Sequence, residues 1–216
     1  MKNNNKLFTI IFYLVFNAAI CISTSVKSYA APIVQNPTSI SVSELPYFYK
    51  LPTQVQKLID SALDLASKNL GYLYGSANPK NGGMDCSGTI YYLLTSFGLP
   101  EVPRSSDLQY QWVLKEGHFH PVQNYNFTSK DFSNLNPGDL LFWSGTYEVK
   151  RAINVSHVMM YLGRNNEGKP LMIGASDGRT YQGKKIYGVS VFDFQLPNGQ
   201  GKSRFLGYSC IPRVSC

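Results

Sequence analysis

Two side chains in this sequence are suited by type and placement to nucleophilic chemistry, Cys86 and His157. Cys86 follows Asp85, a residue type that favours the N-cap of a helix, so the thiol falls in a first helical turn. Unpaired backbone N–H groups and the helix dipole favour an anion there, and a thiolate is one. The expectation is a thiol pKa below the ordinary cysteine value. Ile90, Leu93, Leu94 and Phe97 follow Cys86 by four, seven, eight and eleven residues, so the thiol shares the helix face that packs on the sheet. An arbitrary cysteine there is a small buried hydrophobe. A glycine-rich stretch before it and its place at a helix start argue instead for use.

His157 opens the apolar run from Ser156 to Leu162, where a histidine is costly unless partnered. The chain has three histidines, and His118 and His120 fall in an irregular stretch with no regular element to aim them. His157 is therefore the expected base for Cys86, taking the thiol proton and later protonating a leaving amine. A zinc site of Cys86, His118, His120 and His157 competes, but no CxxC or HExxH spacing supports it. No metal or cofactor is expected.

The elements that must position these groups are legible as periodicities. Val55, Leu58, Ile59, Ala62, Leu65 and Ala66 recur at helical spacing behind Thr53, read as a cap, and predict a helix ending near Gly71. Residues 72–84 read as a loop, and 85–97 as a second helix stopped by Gly98 and Pro100. Strands are expected over 139–143, 156–162, 171–175, 188–194 and 205–212. Residues 113–135 read as irregular, and 31–51 as an extended lead-in to a domain over 52–216. Helices first and strands after give an α+β class with a mostly antiparallel sheet.

Five blocks in order carry a family likeness: Gly71-Tyr72-Leu73-Tyr74-Gly75-Ser76, Asp85-Cys86-Ser87-Gly88, Pro103-Arg104-Ser105-Ser106-Asp107-Leu108-Gln109, Asn136-Pro137-Gly138-Asp139-Leu140-Leu141-Phe142 and Ser156-His157-Val158-Met159-Met160-Tyr161-Leu162-Gly163. This pattern resembles the NlpC-type peptidoglycan cysteine peptidases. The resemblance implies a papain-like α+β fold, N-terminal helices packed on a mostly antiparallel sheet. It also implies hydrolysis of bacterial stem peptides, commonly between D-glutamate and the diamino acid, with Cys86 as nucleophile and His157 as base. Tyr72, Asp85 and Ser87 match residues that in some relatives hold a free amino end, and a short carboxylate beside hydroxyls suits an ammonium. Asp85 and Ser87 equally suit a helix cap, and Tyr72 a packed loop. The oxyanion would meet backbone N–H groups at the helix start, including that of Cys86. The family usually sets a third polar residue, often histidine, where this chain has Gly174. Asp177, or Ser176, is the candidate substitute, with a water or a carbonyl also open. A non-catalytic wall-binding relative and a thioesterase or acyl transferase on the same fold are the alternatives.

Composition agrees with a folded domain. Of 216 residues 44% are hydrophobic and only 15% charged, which excludes a disordered or coiled-coil chain. Lys2 and Lys6, an apolar run from Leu7 to Ile22 and the small-residue site Ser28-Tyr29-Ala30 form a secretory signal pattern over 1–30, too short to span a bilayer. Its removal takes three lysines and no acids, so +7 becomes 17 − 13 = +4. The basic residues are scattered rather than striped, which argues against nucleic acid and leaves the anionic wall as the partner. An exported monomer without stable membrane insertion is expected. Cys21 leaves with the signal, and Cys210 with Cys216 is the expected disulfide, leaving Cys86 free.

Overall fold

Thr53, read as a cap, is instead the first helical residue in the computed structural model, which describes residues 39–116 and 118–216, and Pro52 stands at the N-cap with an extended ψ of 142° and no side-chain capping hydrogen bond. Helix α1 spans Thr53–Ala66, with Val55, Leu58, Ile59, Ala62, Leu65 and Ala66 buried. It stops short of Gly71, which instead begins a two-residue strand, β1 (Gly71–Tyr72), paired in parallel with β2 (Gly83–Met84). The expected loop is thus held at both ends. The lead-in from residue 39 is not extended but forms two 3-10 turns, Val42–Glu44 and Phe48–Lys50, because Leu45 and Phe48 have core to bury. The export signal, residues 1–30, lies outside the described residues.

Helix α2 spans Cys86–Ser96 behind Asp85, as the capping residue predicts. A third helix, α3 (Ser106–Lys115), was not expected. It buries only Ser106, Gln109 and Val113, so no apolar stripe announces it, and Val113 belongs to it rather than to an irregular segment. Within 118–135 the chain forms β3 (Phe119–Pro121) and a 3-10 turn, Lys130–Phe132.

Strands β4 (Leu140–Ser144), β5 (His157–Arg164), β6 (Pro170–Tyr181), β7 (Lys184–Asp193) and β8 (Arg204–Ser209) complete a six-stranded antiparallel sheet in the order β3-β8-β4-β5-β6-β7. Helix α2 packs on β5 and β6, and α1 on β6 and β7. This is the α+β architecture expected, helices on an antiparallel sheet. Strand β6 continues well past Ala175 and is bulged between Asp177 and Arg179, where Gly178 has a φ of +146°. Ser176 opposes Gly188 and Arg179 opposes Ile186. Since directly opposed residues share a face, the bulge brings Arg179 to the face that carries Gly174 and Ser176. Cys210 and Cys216 are joined in a disulfide, as expected, and Cys86 is free.

Candidate active site

The site grows from the start of α2. Asp85 accepts from the backbone N–H of Gly88 at 2.6 Å through one oxygen and from that of Gly75 at 2.8 Å through the other. Arg104 binds both oxygens, at 3.1 and 2.9 Å, and also donates to the Ser87 hydroxyl at 3.0 Å. Ser87 Oγ in turn lies 3.3 Å from Asp85. The Gln109 side chain donates to the carbonyls of Ser87 and Pro103, tying α3 to the same turn. Gly88 is required by closeness, since a Cβ there would lie 2.1 Å from the Ser76 carbonyl oxygen. Tyr72, Asp85 and Ser87 do come together, as read from the sequence. Their expected task meets an obstacle, because the Asp85 carboxylate already holds five donors and its charge is matched by Arg104.

Cys86 is buried, and the backbone N–H groups of Val158, the neighbour of His157 in the chain, and of Ser87 favour its thiolate. Its pKa departs from expectation. Burial pushes it up to about 11, outweighing those N–H groups and the Arg104 charge. The helix start fails to depress it because water is excluded from the sulfur.

His157 is the first residue of β5, opposed to Trp143 on β4 and buried. Burial, then the charge of Arg179, holds its pKa well below the ordinary 6.5. The side chain that reaches the imidazole is neither Asp177 nor Ser176. Arg179 donates from Nε to His157 Nε2 at 3.2 Å, with its guanidinium carbon 4.4 Å from the centre of the Trp143 ring. Burial lowers Arg179 to about 10. Asp177 is exposed, while Ser176 Oγ accepts from the Arg179 backbone N–H at 3.3 Å. A Cβ at Gly174 would lie 2.4 Å from Met159 Sδ, so an orienting side chain there would require the Met159 side chain to shift. Arg179 lies beyond the strand expected over 171–175, on a face set by the bulge after Asp177 rather than by alternation. A glycine inside a strand, Gly178, was the available signal.

Two adjoining hollows open here. One, of about 660 Å³, is lined by His157, Asp177, Arg179 and Lys202. The other, of about 250 Å³, is lined by Cys86, Asp85, Ser87, Arg104 and Arg151. Tyr72, Tyr74 and Tyr147 line both, and Tyr74 meets Tyr147 edge-on at 6.2 Å. Burial raises the Tyr72 hydroxyl pKa and pushes that of Tyr147 up to about 12, so both remain protonated donors at neutral pH.

The four residues of the zinc reading do not converge. Among the described residues the potential metal ligands that come together are His118, Cys210 and Cys216, and those cysteines are bonded to each other. His120 stacks on Tyr208. No helix among the described residues is long and apolar enough to cross a membrane.

A family model described as "NlpC/P60 family" matches residues 69–189, a span that takes in Tyr72, Cys86, His157 and Arg179. No curated protein matches. Among solved structures, a crystal structure of a protein similar to lipoprotein, of the NLP/P60 family, from Staphylococcus aureus subsp. aureus Mu50 is similar to this chain with 21% identity and a TM-score of 0.51. The likeness covers 81% of this chain and 43% of that one, so the chain spans less than half of that protein's length. It is a likeness of fold.

Proposed function

This chain belongs to the NlpC/P60 family, and from that premise we propose that it is an exported cysteine endopeptidase cleaving peptidoglycan stem peptides between D-glutamate and the diamino acid. The observation that carries the reading is a free, buried thiol at a helix start, near enough to the N–H of Val158, the neighbour of His157, for that group to favour the thiolate. Cys86 is the nucleophile and His157 the base. The thiol proton passes to the imidazole as sulfur attacks the carbonyl carbon, and the oxyanion that forms meets the Cys86 N–H. The same proton goes to the leaving nitrogen as the peptide bond breaks, giving an amine and a thioester. Water, deprotonated by His157, then attacks the thioester, releasing a carboxylic acid and restoring the thiol. Asp85, Ser87 and Arg104 hold the helix start, and Tyr72 lines the cleft. An amino end would reach Asp85 only by displacing Arg104. The protein works as a monomer in the cell envelope or outside the cell, without a cofactor.

The thiol raised to about 11, and the arginine on the imidazole, favour a second reading, a wall-binding protein without cleavage. Digestion of purified wall fragments separates the two. The wild-type protein is expected to release new amino and carboxyl ends that Cys86→Ala does not. Equal product patterns by mass spectrometry reject the peptidase.

A further inference from the structure

A neutral imidazole has one N–H and a single lone pair to offer, and a guanidinium has donors only. Arg179 Nε, 3.2 Å from His157 Nε2, therefore occupies that lone pair, and the ring proton sits on Nδ1. Whichever nitrogen meets the Cys86 thiol, none can accept its proton while Arg179 stays. An imidazolium would face the guanidinium donor to donor. The arginine is not fully committed to the protein. It has no ion pair among the described residues, and its two Nη groups have no hydrogen-bond partner among them, the guanidinium resting on the Trp143 ring face. It lines the larger hollow together with Lys202, and Asp177 is the one carboxylate among the lining residues, so the hollow has an excess of positive charge.

We propose that Arg179 is a latch on His157, drawn off the imidazole when a substrate carboxylate enters this hollow, so that the base becomes free only on carboxylate-bearing peptides. A carboxylate that takes the guanidinium side-on, through Nε and one Nη, removes the Nε donor from the ring. The raised thiol and lowered imidazole pKa values fit a resting state in which both groups are neutral. Arg179 is a positioning residue in this scheme, and the inference rests on the reading of Cys86 and His157 as nucleophile and base.

The test uses the protein labelled with ¹⁵N-histidine, the His157 signals being identified by their loss in His157→Gln. Free protein is expected to show protonated Nδ1 and unprotonated Nε2. A γ-D-glutamyl dipeptide with its carboxylates free is expected to shift His157 out of that state, and the same dipeptide with every carboxylate amidated to leave it unchanged. In a second arm, Cys86 of Arg179→Met is expected to react with iodoacetamide about tenfold faster than wild type, since the rate follows the thiolate fraction. Loss of a cation alone would slow the reaction, so an increase reports the freed nitrogen. Unprotonated Nδ1 in the free protein, equal responses to the two dipeptides, or a variant reacting no faster than wild type would each overturn the latch. None of these readouts requires bond cleavage. A latch that responds while wall fragments stay intact removes the peptidase and keeps the latch, and cleavage without a response does the reverse.

Discussion

At the scale of single residues the thiol and the imidazole are both held uncharged. A cysteine pushed up to about 11 carries a thiolate fraction that rises about tenfold per pH unit across the neutral range. The alkylation rate of the free protein is therefore expected to climb steadily from neutral to alkaline pH. A plateau near neutrality would contradict this, because it would mean a thiol ionised well below its ordinary value. Cys86 and His157 were readable from the sequence because each sits at an element boundary, one behind a capping aspartate and the other at the head of an apolar run. Arg179 was not. Its face depends on one extra residue in the strand, a register effect that no alternation pattern reports.

At the scale of elements the site depends on how tightly the start of α2 is packed. A Cβ on Gly88 would press on the Ser76 backbone, the Arg104 guanidinium and the Asp85 carboxylate at once. Gly88→Ala is expected to cost about 2 kcal/mol, the usual scale of overpacking, and chemical denaturation would measure it. An unchanged denaturation midpoint would show that the turn can relax. Helix α1 was legible because seven of its residues are buried on one stripe. Helix α3 escaped because its buried face is formed by Ser106, Gln109 and Val113, two of them polar, and its purpose is to deliver the Gln109 amide to Ser87 and Pro103. β1 and β2 escaped for a different reason. Two-residue strands are made by tertiary contact and leave no period to read.

At the scale of the whole molecule, stability is expected to carry a signature of one buried acid. Asp139, just before β4, is raised by burial from 3.8 to about 7, even though the Asn136 N–H donates to it. A carboxyl group whose folded pKa lies above its unfolded one favours the fold most below the unfolded value, and that contribution is lost as pH rises through the folded value. The melting temperature of wild type is expected to fall relative to Asp139→Asn between about pH 4 and pH 7, since the amide has no proton to lose. A difference between the two proteins that stays flat over this window would overturn the assignment.

The ends of the six-stranded sheet also have a consequence. An open sheet offers unpaired N–H and C=O groups along its outer strands, a template for pairing with another chain. Here one outer strand, β3, has only three residues and ends in Pro121. On the other, β7, the Leu70 carbonyl accepts from Val189 N–H at 2.9 Å, and a Cβ on Gly188 would lie 2.1 Å from that same oxygen. The segment leading into the site thus also shields the sheet from aggregation. A larger side chain at Gly188 would loosen the segment that leads to Tyr72 and uncover an adhesive edge in the same step.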